Sequence, residues 1–331
     1  MSNAAVPSLD TLVESRRQMC QRVLPLLIGL LLTYQSAFAL EDFTMGISTM
    51  HISIAYLYIG KERGFFADEG IELKLIHIPA YLARTALIAR QLDGMEFGST
   101  GITLRANGAP VANIFSQSER PGWFLLTNPG IKDLKQLAGK AITVGVLGSG
   151  SHLATLEILK KAGMSPESVV FLGGRGGSDI RLQMLAGGTV QAANLVPPYN
   201  FMAQRMGFHE IVFYGDYFDL AQFGLIVHEA NLENRRPFMK RVLRAFLKSH
   251  VYSVQNREET MKWVLKNLKM DKQDAGKTVD VLIKTATKNG IASDTAIQNA
   301  LDPAVKASPT KRKDLVDYSL LREVHEELGI R

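Results

Sequence analysis

The sequence predicts an α/β protein of two lobes, each a mixed sheet flanked by helices. Three observations predict it. Short apolar strands alternate with helical stretches from Phe43 onward, the register changes at Asn128-Pro129-Gly130 where a second α/β unit begins, and beyond Val227 the texture turns helical. At 331 residues the chain exceeds one ordinary domain and can bury a sizeable core. The expected division is residues 40–126 for the first part of lobe 1, 127–223 for lobe 2, and 224–331 for a return to lobe 1 with the terminal helices. Two crossings between lobes would leave a cleft between them.

Residues 1–39 read as an export signal. Arg16, Arg17 and Arg22 precede the apolar run 23–32, and Ser36-Ala37-Phe38-Ala39 supplies a small-x-small cleavage signal after Ala39. The run of about ten apolar residues is too short for roughly 30 Å of hydrocarbon. Ser15-Arg16-Arg17 hints at twin-arginine export, although Met19 and Cys20 are poor followers. Cys20 is the single cysteine, so a chain cut after Ala39 contains none, which removes disulfides, thiol catalysis and cysteine-zinc sites together. Removing the leader takes the formal charge from +6 to about +5, spread thinly. No block of Lys and Arg is dense enough to track a nucleic-acid backbone.

The first lobe opens with a strand at 44–47 and a short helix from about Ile54, stopped by Gly64 and Gly70. Strands follow at 73–78, 95–97 and 111–115, with a helix at 81–92 carrying Leu82, Ala86, Ile88, Ala89 and Leu92 on one face. In the second unit Ile131, Leu134 and Leu137 recur every third residue, and a buried strand fits 141–146. A helix at 153–162, a strand at 169–172, a helix at 179–185 and a strand at 190–196 complete it, with Gly163 and Gly187-Gly188 as stops. After a strand at 223–227, Pro237 suits a first helical turn, and Phe238, Val242, Phe246, Leu247 and Val251 form one apolar face. Further amphipathic segments occupy 258–268, 274–287 and 313–328.

In open α/β sheets ligands sit beyond the carboxyl ends of the strands, where helix N-termini present unpaired N–H groups. Five loops meet that description: 48–53, Pro79-Ala80-Tyr81, Gly98-Ser99-Thr100-Gly101, 148–152 and 173–178. In Gly148-Ser149-Gly150-Ser151-His152 glycines let the backbone approach a ligand while serine hydroxyls donate, or the serines merely cap the helix. It is no phosphate loop, because Ser151 stands where lysine is needed, and Leu153 occupies the last glycine of a dinucleotide fingerprint. Arg175 could offer its planar fork to a carboxylate or sulfonate, or stand solvated on a surface turn, with Ser178 capping the next helix. Tyr56, Tyr58, Tyr81, Trp123, Tyr199, Phe201 and Phe223 include rings that would favour a partly apolar ligand, Tyr81 and Tyr199 foremost because they read as loop residues. Arg84, Arg105, Glu69, Glu72 and Asp93 read as solvated surface. None of the seven histidines forms a zinc-protease run, and no Gly-x-Ser-x-Gly elbow occurs.

Several stretches together resemble a known family: 61–73 (Lys-Glu-Arg-Gly-Phe-Phe-Ala-Asp-Glu-Gly-Ile-Glu-Leu), Ala86-Leu87 through Gly98, Gly108-Ala109-Pro110-Val111, and 131–140 leading into 141–145. The chain is similar to the periplasmic solute-binding proteins of ABC importers in the nitrate, sulfonate and taurine group, which also takes in thiamine-precursor binding proteins. The resemblance implies a type II periplasmic-binding-protein fold, two lobes closing on one small molecule and then docking on an inner-membrane ABC permease. Carried over by position, it places ligand contacts at Met50, His51, Ser53, Ala80, Tyr81, Ser99, Thr100, Ser149, Gly150, Ser151, His152, Pro198 and Tyr199. Gln191 stands where the family commonly has aspartate, and Tyr81 is bulkier than the family's small turn, which argues against a ligand as small as nitrate. The expected product is a periplasmic, monomeric binding protein with no cofactor, no metal and no catalytic residues, for an organic anionic or aromatic ligand. The alternative is a pyrimidine-precursor biosynthetic enzyme of the same fold, whose cysteine-rich iron motif a cysteine-free chain cannot supply. A receptor-coupled sensing module would need an output domain, which the sequence does not display.

Overall fold

The computed structural model describes residues 39–47, 50–173, 176–301 and 314–330. The expected export signal, apart from Ala39, lies outside the described residues, and so does Arg175.

Two five-stranded mixed sheets organise the chain. The first runs β2-β1-β3-β10-β4, from β1 (Glu41–Ile47), β2 (Ile71–His77), β3 (Gly94–Met95), β4 (Val111–Ser116) and β10 (Gly224–His228). The second runs β7-β6-β8-β5-β9, from β5 (Phe124–Thr127), β6 (Ala141–Val144), β7 (Val170–Gly173), β8 (Ala192–Leu195) and β9 (His209–Phe213). The plan repeats: β2-β1-β3 and β7-β6-β8 are parallel trios, each extended by an antiparallel strand, β10 or β5, that the chain lays down on arriving from the other sheet.

β5 and β9 are absent from the sequence reading. β5 is four buried residues beside a Pro-Gly turn, and β9 opens on His209-Glu210, so neither shows the alternation that marks a half-exposed strand. The three-residue recurrence at Ile131, Leu134 and Leu137 yields one 3-10 turn, Leu134–Leu137, started by a capping box between Asp133 and Gln136.

Twelve described α-helices of 6 to 20 residues surround the sheets: α1 (Ala55–Glu62), α2 (Ala80–Ile88), α3 (Gly98–Ala106), α4 (Gly150–Lys161), α5 (Ser178–Ala186), α6 (Tyr199–Arg205), α7 (Glu229–Asn234), α8 (Arg236–Gln255), α9 (Arg257–Asn267), α10 (Lys272–Thr285), α11 (Asp294–Asn299) and α12 (Ser319–Leu328). α8 buries Phe238, Val242, Phe246 and Leu247. Phe246 meets Phe43, Tyr56, Phe66 and Phe115 at centroid distances of 5.6–6.1 Å, mostly edge-on, and so ties β1, α1 and β4 to the long helix. Gly60 of α1 faces Ser249 of α8 where a Cβ would collide with the serine's own Cβ at 2.6 Å, so only glycine lets these helices approach.

Three residues expected on solvated surface are structural. Arg105 is buried and donates to Glu229 and Asp314, both through ion pairs of 2.7 Å, and to the Val111 carbonyl. Glu69 is held by Arg244 at 2.6 Å and Lys248 at 2.9 Å. Asp93 accepts from the Thr44 N–H and pairs with Arg235 at 2.7 Å.

Beside the crossings at 117–123 and 214–223 runs the segment after α10: the Thr287 N–H donates to the Gln117 carbonyl at 3.0 Å and the Glu119 N–H to that of Thr285 at 3.0 Å. α10 itself touches both halves. Ala275, Val279 and Leu282 pack with Ile52, Ala55 and Ile59. Its other side meets the second sheet's elements through Asp274 and Arg205, through Lys284 and Asp216 at 2.6 Å, and through Val281. Among the described residues, no helix is long and apolar enough to cross a membrane.

Candidate functional site

Between the carboxyl ends of the two parallel trios lies a cavity of about 520 Å³. The first half contributes His51, His77 to Tyr81, Arg84, Phe97, Ser99, Thr100, Thr103, Leu104 and Phe223. The second contributes Trp123, Gly145 to Ser151, Gly176 to Arg181 and Val196. These positions follow the ends of β1, β2, β3, β6, β7 and β8, where a parallel sheet delivers its loops.

Four helices, α2, α3, α4 and α5, begin on this cavity, and none has a side chain capping it. Their first-turn N–H groups carry the positive end of each helix dipole toward the enclosed space. The serines expected as caps do something else. Ser151 is buried and its Oγ accepts from the Gly145 N–H at 3.0 Å, with Ser149 Oγ 3.1 Å away, closing the turn between β6 and α4. Ser178 Oγ accepts from the Val196 N–H at 3.2 Å and from Arg181 Nη2 at 2.8 Å. Arg181 also donates to the carbonyls of Asn194 (2.6 Å) and Gly176 (3.2 Å), locking the start of α5 onto the end of β8. Burial lowers its pKa to about 10, with Asp179 opposing that fall, so the guanidinium stays charged at neutral pH.

His51, buried, lies under the cavity's first wall with Phe223 at 4.8 Å. Its Nδ1 accepts from the Ser53 N–H at 3.2 Å, which in the neutral ring leaves the proton on Nε2, facing Glu96 Oε2 at 3.4 Å. Both nitrogens therefore point at protein groups. Trp123 stands edge-on to Tyr214 at 6.0 Å, and the Tyr214 hydroxyl bonds Thr155 of α4 at 2.8 Å. Burial pushes the Tyr214 phenol up to about 12, so it stays protonated as a brace. Among the described residues, no group of three His, Cys, Asp or Glu side chains could hold a metal ion.

Of the positions expected to meet a ligand, His51, Ala80, Tyr81, Ser99, Thr100, Ser149, Gly150 and Ser151 line the cavity. Five lie outside its wall. Met50 packs against the core. Ser53 sits in a 3-10 turn. His152 turns back so that its Nδ1 accepts from the Gly148 N–H at 3.0 Å, with its ring edge-on to Phe171. Pro198 precedes α6, and Tyr199 is that helix's first residue, packed on core clusters rather than held in a loop. Tyr81, also expected in a loop, belongs to the first turn of α2. Tyr56 and Phe201, among the rings considered for a ligand, are instead buried in the core. Reasoning from sequence missed His77, Phe97, Leu104 and Arg181. His77 ends β2 and Phe97 lies between β3 and α3, strand-end positions whose signal was present, whereas nothing distinguishes Arg181 from any helix arginine.

Two α/β halves with uncapped helix N-termini converging on a strand-end cavity define the class: a two-lobed periplasmic-binding-protein fold. The chain belongs to the NMT1/THI5 like family, which matches residues 51–260. Among solved structures it is similar to the periplasmic nitrate-binding protein NrtA from Synechocystis PCC 6803, at 13% identity, covering 88% of this chain and 89% of that one with a TM-score of 0.69. It is similar to the alkanesulfonate-binding protein SsuA from Xanthomonas axonopodis pv. citri bound to MOPS, at 16% identity over 78% and 89% of the two chains, TM-score 0.66. A third is the desulfurization enzyme DszB, at 14% identity over 87% and 99%, TM-score 0.63. At these identities the likeness is one of fold. No curated protein sequence matches the chain.

Proposed function

We propose that the chain is the solute-binding component of an ABC importer, exported to the periplasm with its leader cut after about Ala39, working as a monomer that delivers a small organic ligand to an inner-membrane permease. The observation that carries this reading is the cavity itself, walled by both halves and faced by four helix starts. A ligand that touches both halves at once favours the closed arrangement over an open one, which is how binding becomes a signal to a permease. The sulfonate- and nitrate-binding names among its structural relatives support an oxyanion-bearing ligand. The contacts we assign are His51, Ala80, Tyr81, Ser99, Thr100, Ser149, Gly150 and Ser151, with Trp123 and Phe223 added on the structure's account.

We read the site as a binder rather than a catalyst, DszB notwithstanding, because the one buried imidazole on its wall has both nitrogens directed at the protein. The sequence contains two tryptophans, and only Trp123 lines this cavity. Titrating the purified protein with sulfonates, carboxylates and heterocycles should therefore change its fluorescence and raise its melting temperature together. A panel that produces neither, or a compound that is turned over rather than retained, would sink the reading.

A further inference from the structure

Exposed apolar side chains ring the mouth of the cavity on both sides. Tyr81 is 39% exposed on the first half, and Val146, Leu147 and Ile180 are 44%, 53% and 39% exposed on the second; all four also line the cavity. Large apolar groups left in water on facing edges of one cleft mark a surface meant to be covered. The cavity's size agrees: 520 Å³ is the liquid volume of about seventeen waters, far more than a nitrate or an aminoalkyl sulfonate fills. The charge inventory agrees too. Arg181, the buried arginine on the wall, is engaged by three internal acceptors, Asp179 beside it opposes an anion, and Arg84 stands exposed. Neutral hydroxyls at Ser99 and Thr100 and helix-start amides remain for the polar end of a ligand.

We propose, building on the solute-binding reading above, that this site selects an amphiphile, and that Tyr81, Val146, Leu147 and Ile180 set its specificity. A polar head of no more than one charge sits against the starts of α3 and α4, and an alkyl or aryl tail runs outward between Tyr81 and the Leu147–Ile180 edge. Tail contact then carries most of the affinity, and the head mainly orients the ligand.

The test is calorimetric titration of the purified protein with methanesulfonate, butanesulfonate, octanesulfonate and nonanoate. Affinity is expected to rise about fourfold per methylene along the sulfonates. Nonanoate, with the same octyl tail and another head, is expected within tenfold of octanesulfonate. Tyr81→Ala and Leu147→Ala, at exposed positions, each reduce octanesulfonate affinity at least fivefold and flatten the gain of affinity along the sulfonate series. Affinity that is flat or falls with chain length, or discrimination above a hundredfold between the two octyl heads, overturns the amphiphile assignment while leaving a binding protein in place. Failure of all four compounds to bind at millimolar concentration removes the amphiphile assignment, whereas the fluorescence panel above decides separately whether the cavity binds any solute.

Discussion

Replacing Gly150 by alanine is expected to weaken ligand binding without weakening the empty protein. Gly150 starts α4 in the second half, and Ser99 starts α3 in the first; at this point the two halves meet. A Cβ built at Gly150 would lie 2.7 Å from Ser99 Oγ, 3.1 Å from Ser99 Cβ and 3.3 Å from Trp123 Cη2. Gly150 is not among the glycines with positive φ, so the backbone makes no demand for glycine and the facing residues alone exclude a side chain. The hydroxyl can swing aside. Ser99 Cβ, in the other half, cannot, and overpacking of this kind costs about 1–3 kcal/mol. Taking about 1.5 kcal/mol for one methyl, the closed form loses roughly tenfold in population and the ligand's Kd rises by the same factor. In an open form the methyl meets nothing from the other half, and alanine there gains roughly 0.4–1 kcal/mol by restricting the unfolded chain. Ligand-free melting temperature should hold or rise while affinity falls, and Gly150→Val should fall further. Calorimetric titration and thermal melts of the same samples read both. Undiminished affinity in Gly150→Ala, or a ligand-free destabilisation matching the affinity loss, would refute a closing contact at this position.

Burial holds His250 neutral with its pKa down at about 4, against 6.5 as the ordinary value. An unfolded chain takes up that proton between pH 6.5 and 4 while the folded one does not, so stability is full above pH 6.5 and falls by up to roughly 3 kcal/mol toward pH 4. His250→Gln, which can still donate to the Thr287 carbonyl now 2.7 Å from Nε2, should flatten that part of the denaturation-versus-pH curve; parallel curves would refute the assignment. Gly60→Ala should lower the melting temperature by about 5 °C, because α1 and α8 must separate by more than helix propensity returns. Ser151→Ala should cost about 1 kcal/mol without any ligand, since the Gly145 N–H loses its acceptor, and an unchanged denaturation midpoint would show that hydrogen bond to be idle.

The α/β alternation and the loops that gather at the cavity were legible because strand-end glycines and hydroxyls mark where a parallel sheet hands over to a helix. Ala80, Ser99 and Ser149 to Ser151 stand on the cavity for that reason. What each side chain does there was not legible. Ser151 and Ser178 carry the right chemistry for capping, yet tertiary partners at Gly145, Val196 and Arg181 claim their hydroxyls. His152 follows the correct loop but is drawn backward by the Gly148 N–H, a turn geometry that residue types do not announce. Tyr199 was misplaced because two prolines before it look like the middle of a loop when Pro198 in fact opens a helix. β5 escaped because its neighbours bury all four of its residues, and β9 because it is a short edge strand that opens on exposed His209-Glu210, so neither shows a clean alternation.

On the solute-binding reading proposed above, the two-sided grip of α10 would make opening between the halves sensitive to dissolved ions. Its apolar face is seated beside α1, so a widening mouth shears the opposite face first, where Arg205 leaves Asp271 and Asp274 and Lys284 leaves Asp216. Exposed pairs of this sort weaken as electrolyte accumulates around them. On that reading added salt should tilt the molecule toward its gaping form and weaken capture of even an uncharged solute.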